Sequence, residues 1–134
     1  MLKALPIKEK DEQKLICARC GVEFDADYIA YSMTVDDELC GVCQFKFCAD
    51  GGQIRDLGMV PNSDDFDAMF VLGRAVLNII DLCGVHFAYF SGDVDGRSEA
   101  FRHLLTRIGF IRNSESGRYE IDLNGFFDHP CQHH

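Results

Sequence analysis

Val60-Pro61-Asn62-Ser63-Asp64-Asp65-Phe66-Asp67 is the stretch that decides the fold. It follows a strand-like run, Gln53 to Val60, and opens a long apolar helix pattern, Asp65 to Leu82. A strand that enters a helix through a short turn is where α/β proteins hold phosphates. The first N–H groups of the helix lack internal partners and its dipole end is positive, so both favour an anion. Such turns ordinarily carry glycines and a basic residue. This one carries Asp64, Asp65 and Asp67 and no glycine.

Outward from the turn, Phe66, Met69, Phe70, Gly73, Val76, Leu77 and Ile80 recur at 3-4 spacing, the stripe of a helix lying on a core. Ser63 is its expected N-cap and Gly84 its stop. Gly58, alone inside the strand pattern, marks either a bulge that frees an N–H beside the turn or a glycine packed under a bulky neighbour. Towards the N-terminus, Lys3–Ile7 reads as a strand and Lys8–Cys20 as a helix closed by Gly21. Tyr28–Val35 alternates, with Ile29, Tyr31, Met33 and Val35 on one face. Asp36-Asp37-Glu38 turns the chain into a return strand, Leu39–Cys48, with Leu39, Gly41, Cys43, Phe45 and Phe47 on one face. Asp50-Gly51-Gly52 reads as a second turn. Towards the C-terminus, Val85–Phe90 is a nearly continuous apolar run, as a strand covered on both faces would be. Ser98–Ile108 is a helix with Phe101, Leu104, Leu105 and Ile108 as its stripe, and Phe110–Arg112 and Arg118–Leu123 are short strands. The order β-α-β-β-β-α-β-α-β-β gives an α/β (α+β) chain, a mixed sheet with helices on both faces.

With 134 residues, 47% of them hydrophobic, the chain is expected to form one domain with its own core. A net charge of −9 excludes nucleic acid and anionic membrane from the expected partners, because phosphate groups are bound by Lys and Arg clusters. The same charge suits an amine. No apolar run approaches the roughly 20 residues of a membrane span. Met1–Pro6 is too short, and too soon followed by charges, for a signal peptide. The expected location is cytoplasmic, with the seven cysteines reduced.

Cys17-x-x-Cys20 and Cys40-x-x-Cys43 have the form of a four-thiolate zinc site. Against it, strand alternation sends Cys40 and Cys43 to opposite faces, and Cys17 and Cys20 fit a last helical turn. The expectation is therefore core cysteines and no metal site, with a zinc-binding interaction protein as the third functional reading. The tail His129-Pro130-Cys131-Gln132-His133-His134 is ligand-rich but terminal. Asp93-Val94-Asp95-Gly96 lacks the glutamate of a calcium loop and reads as a polar turn. Cys83, beside His86, falls near a helix C-terminus, where the dipole disfavours a thiolate.

Three stretches carry a family likeness. Asp36-Asp37-Glu38-Leu39-Cys40-Gly41 resembles an acidic hairpin turn before a Leu-x-Gly strand. Ile54–Pro61 with the helix to Leu82 resembles a central strand and cofactor helix. Phe101-Arg102-His103-Leu104-Leu105-Thr106-Arg107-Ile108-Gly109-Phe110 resembles a closing helix that ends in Ile-Gly-Phe. In this order and spacing they resemble the GNAT acyltransferase superfamily, over a single domain at residues 1–123 followed by a tail, 124–134. The resemblance implies a mostly antiparallel sheet splayed between strands 53–60 and 85–90. Acetyl-CoA or another acyl-CoA would enter that opening along Leu57, Gly58, Met59 and Val60. It would continue along the helix start at Phe66, Asp67, Ala68, Met69 and Phe70. A strand N–H near Gly58 to Val60 would polarise the thioester carbonyl, and a small-molecule or protein amine would attack it.

The chain departs from the family pattern at known positions. Counted from Pro61, the basic position of the pyrophosphate turn falls on Asp64, and the glycine positions fall on Asp67 and Met69. The tyrosine that often serves as general acid is Leu105 here, and the asparagine earlier on that helix is Ser98. Tyr89 and His86 are the candidates to replace the acid. Asp93, Glu99 and His86 are equal candidates for the base, and no catalytic residue is assigned. The readings are an acyl-CoA-dependent N-acyltransferase, or a GNAT-fold binding or dimerisation module that has lost the CoA site. A homodimer is the assembly to look for.

Overall fold

The structure is a computed structural model and describes residues 1–127. All ten expected elements form in the expected order: β1 (Leu2–Pro6), α1 (Lys10–Arg19), β2 (Ile29–Val35), β3 (Glu38–Cys48), β4 (Gly51–Met59), α2 (Phe66–Leu82), β5 (Phe87–Phe90), α3 (Glu99–Ile108), β6 (Ile111–Arg112) and β7 (Tyr119–Asp122). The seven strands form one sheet in the order β1-β2-β3-β4-β5-β7-β6. Every pairing is antiparallel except β4 with β5. No helix among the described residues is long and apolar enough to cross a membrane.

Two cores lie on the two faces of the sheet. On one face α2 and α3 bury the larger, in which Met69, Leu72, Val76, Leu77 and Ile80 meet Met33, Cys43, Phe45, Ile54 and Leu57. The apolar stripe of α2 explains this: from Met69 to Ile80 its residues are buried, except Phe70, which is half-buried at the edge. On the other face α1 contributes Cys17 and Cys20 to a smaller core with Ile7, Ala30 and Val42. Two glycines let the layers approach. A Cβ on Gly41 would meet the Met69 side chain and the Gly58 carbonyl, and one on Gly52 would stand 2.8 Å from Ile80.

Three local expectations are corrected, and the choice left open at Gly58 falls to packing under a bulky neighbour. The N-cap of α2 is Asp65, whose carboxylate accepts the Ala68 N–H at 3.0 Å, and not Ser63. Gly51 and Gly52 belong to β4, held there by packing against Phe87 and Ile80. Leu39 leaves the face of Gly41 and Cys43 for the smaller core, because the β2–β3 register shifts by one residue between Met33 and Thr34. The bulge in β4 lies at Arg55, where Phe45 pairs with Ile54 but the adjacent Gln44 pairs with Asp56. Gly58 is in regular register with Val42 and packs under Val22 and the Cys20 carbonyl.

Candidate functional site

β4 and β5 run parallel for three residue pairs, Gly52–Ala88, Gln53–Tyr89 and Ile54–Phe90. The Ser91 N–H then donates to the Ile54 carbonyl at 2.8 Å, and the chain departs as the loop to α3. β4 continues to Met59 with β3 on one side and, among the described residues, no strand on the other. The sheet is splayed where the family resemblance implied the opening. Val60 donates its N–H to Cys40 at 2.9 Å, towards β3, and the Gly58 carbonyl also turns that way. Successive residues of a strand point their backbone groups to alternate sides, so Leu57 and Met59 present theirs to the gap. Of the four strand residues expected to meet a cofactor, Leu57 and Met59 offer backbone donors there, whereas Gly58 and Val60 spend theirs on β3.

At the helix start the five expected residues divide as well. Phe66 lines a groove of about 500 Å³ between α2 and α3, opposite Ala100, His103, Leu104 and Arg107. The Asp67 carboxylate accepts from Arg107 at 2.7 Å. Phe70 lies under the guanidinium groups of Arg74 and Arg107, at 4.8 and 4.5 Å from its ring centre. Ala68 and Met69 are fully buried and point into the core. The turn itself supplies carboxylates, and the arginine of the groove, Arg107, comes from α3.

Asp56, a residue the sequence reading passed over, stands in the half of β4 that pairs with β3 but not with β5. It is 8% exposed. Burial pushes its carboxyl up to about 6, against the opposing pull of two hydrogen bonds from Gln44 and of the Arg55 and Arg97 charges. Arg97, in the loop before α3, stacks on Phe101 at 3.7 Å, and Phe101 in turn packs on Phe90. The signal available in the sequence was a polar residue next to apolar ones in each of two neighbouring strands, Gln44 between Cys43 and Phe45 and Asp56 before Leu57.

The candidate acids and bases lie elsewhere. His86 precedes β5 and bonds Asp81 at 2.6 Å, at the end of the strand away from the opening. The Tyr89 hydroxyl donates to Asp50 at 3.0 Å, and burial raises its pKa. Asp93 accepts the Gly96 N–H and closes its own turn. Glu99 lines the α2–α3 groove in the first turn of α3. Leu105 is fully buried, and Ser98 is the N-cap of α3.

The cysteines pack in two groups, Cys17 and Cys20 in the α1-side core and Cys40 and Cys43 in the α2-side core. The bulge at Cys40 brings its thiol within 3.9 Å of the Ser63 hydroxyl and breaks the alternation expected to part it from Cys43. Among the described residues, no three His, Cys, Asp or Glu side chains converge to hold a metal ion. The ligand-rich tail, from His129, lies outside the described residues.

The chain matches no protein-family model and no curated protein. Its structure is similar to many solved ones. A spermidine N-acetyltransferase from Vibrio cholerae aligns with a TM-score of 0.71 and 12% identity, over 95% of this chain and 96% of that one. A protein described as a GNAT-family acetyltransferase from Desulfovibrio desulfuricans aligns at 0.70 and 12%, over 92% and 99%. A Bacillus subtilis acetyltransferase in complex with CoA aligns at 0.69 and 15%, over 92% and 99%. At these identities the likeness is one of fold.

Proposed function

From the GNAT fold, we propose that this chain is an acyl-CoA-dependent N-acyltransferase acting on an amine. The observation that carries the reading is the splay itself: β4 leaves β5 after Ile54 and turns the backbone of Leu57 and Met59 into the gap. The gap and groove fit an acyl-CoA in two respects. Backbone donors lie at the strand, and Arg107 of α3 lines the groove next to the α2 N-terminus, supplying the positive charge that the β4–α2 turn lacks, with His103 beside it. Bound acyl-CoA supplies the acyl group as a thioester, whose C–S bond breaks as the amine nitrogen forms the new C–N bond.

The residues of this chain then have distinct tasks. One of the two N–H groups that face the gap, that of Leu57 or that of Met59, stabilises negative charge on the acyl oxygen. Asp56, whose carboxyl ionises near neutral pH, takes the proton from the amine nitrogen through one water. Leu105 cannot donate a proton, so the leaving thiolate is protonated by solvent. The acidic chain favours a cationic acceptor, and one structural neighbour acts on spermidine. Calorimetric titration with acetyl-CoA tests the reading, followed by thiol release with a panel of amines. Heat at submillimolar ligand supports it, and silence at millimolar ligand overturns it.

The second reading, a GNAT-fold module without a CoA site, draws on the carboxylates at the α2 N-terminus. Asp65 already caps the helix and Asp67 already holds Arg107. In that case both calorimetry and thiol release stay silent.

A further inference from the structure

Asp56 is the end of a buried polar chain that begins at the surface on α1. Lys10 Nζ donates to Gln13 Oε1 at 3.0 Å. Gln13 Nε2 donates to Gln44 Oε1 at 2.9 Å, and Gln44 Nε2 donates to Asp56 Oδ2 at 2.7 Å. The Gln44 backbone N–H reaches the other carboxylate oxygen at 3.2 Å. Both glutamines are fully buried.

The direction of this chain is imposed by its ends. Lysine has donors only, so Gln13 must turn its oxygen to Lys10 and its NH2 to Gln44. Gln44 therefore receives on oxygen and gives from nitrogen, which is what an ionised carboxylate, an acceptor only, requires. Every amide dipole is aligned head to tail from a cation to an anion, the arrangement in which successive bonds polarise one another.

The chain also holds the segment between α1 and β2. Gln44 Nε2 donates to the Glu23 carbonyl at 2.8 Å, and Gln44 Oε1 accepts the Asp25 N–H at 3.2 Å. Lys10 Nζ and Gln13 Nε2 both reach the Tyr28 carbonyl, at 2.6 and 3.3 Å. Residues 23–28 lie over the α1 face of the sheet, where Asp56 is buried, so the same groups fix the segment and the carboxylate.

We propose that Lys10, Gln13 and Gln44 are positioning residues that orient the Asp56 carboxylate and tie its proton affinity to the docking of residues 23–28. The proposal rests on the reading of Asp56 as the proton acceptor of acyl transfer. Asp56 is faced also by Arg55 on its own strand, Arg97 from the loop before α3, and the thiols of Cys17 and Cys20 on α1 and Cys43 on β3. Burial pushes Cys17 up to about 11 and Cys20 to about 12, and Cys43 well above its ordinary value, so these thiols stay neutral while Asp56 titrates.

Carbon-13 NMR titration of the Asp56 carboxyl in the full chain, without CoA, tests this. Gln44→Met removes a donor to the charged form and raises the titration midpoint by about one pH unit. Lys10→Met, at an exposed position, frees Gln13 to turn and raises it by at least about 0.3 unit, whereas Lys10→Arg keeps a donor and restores the original midpoint. An unchanged midpoint in a folded Lys10→Met chain overturns the proposal. Should Gln44→Met fail to fold, Lys10→Met and Lys10→Arg decide alone. A shifted midpoint in a protein that gives no heat with acetyl-CoA leaves the relay standing and removes the acyltransferase reading.

Discussion

Arg107 of α3 donates to the Asp67 carboxylate at 2.7 Å, so a cation lining the α2–α3 groove is already held by an anion from the first turn of α2. A phosphate entering the groove competes with that carboxylate. Asp67→Ala is expected to tighten acetyl-CoA binding severalfold and Arg107→Gln to weaken it, both read by calorimetry. The pair is exposed, so unfolding free energy should change by less than about 1 kcal/mol in either variant. Unchanged binding in both would place the phosphates away from Arg107.

Asp56 makes stability fall as pH rises. Its folded carboxyl ionises at about 6 and its ordinary value is 3.8, so between these pH values the folded chain holds a proton that the unfolded chain has released. The favourable contribution is complete below the ordinary value and is lost as pH passes the folded one, a difference of about 3 kcal/mol. Denaturant unfolding at pH 4 and pH 7 should show that fall in the original chain relative to Asp56→Asn. The same slope in both chains would mean that Asp56 does not ionise late.

Gly58→Ala is expected to cost about 1–3 kcal/mol, because the new methyl meets Val22 and stands 3.0 Å from the Cys20 carbonyl, which cannot yield without moving the end of α1. The thermal midpoint should drop by several degrees. A midpoint within one degree would show that the α1 end shifts freely.

Leu105→Tyr places the hydroxyl that many GNAT enzymes carry at this position. Here the site is fully buried among core residues, so the ring overpacks it. Stability should fall by about 1–3 kcal/mol with no gain in thiol release. A faster, stable variant would mean that the residue reaches the cleft.

Thiol labelling at pH 8 should modify the exposed Cys83 quickly and leave Cys17, Cys20 and Cys43 untouched until the chain unfolds, as mass spectrometry will show. Stoichiometric zinc in chelator-free protein, with the same three thiols protected only by the metal, would revive the zinc reading.

The elements were legible in the sequence because their patterns are local. The 3-4 spacing of Phe66 to Ile80 and the apolar run before Phe90 each follow from a single segment. What the sequence concealed depends on partners distant along the chain. Gly51 and Gly52 look like a turn until Phe87 and Ile80 pack on them. Ser63 and Asp65 are both fit N-cap types, and only the geometry chooses Asp65. Asp56 reads as an ordinary solvated position until Gln44, twelve residues earlier, is seen to claim both of its oxygens. The splay was anticipated from the family resemblance, but which N–H groups face it depends on pairing with β3, so of the expected Leu57, Gly58, Met59 and Val60 only Leu57 and Met59 turn theirs to the gap.

The bulge at Arg55 divides β4 into two halves of opposite parity, so Ile54 and Leu57 share the α2 face although their positions differ by an odd number. One extra residue is therefore a switch of sidedness. Pairing Arg55 regularly with β3, with no bulge, would leave either the four residues before it or the four after it facing the wrong layer. In the second case Asp56 would be driven beneath α2, away from Gln44, and Leu57 would be turned towards α1. The side on which Asp56 lies is thus decided by how one extra residue is accommodated, and a chain without that residue would keep the carboxylate opposite Gln44 by simple alternation.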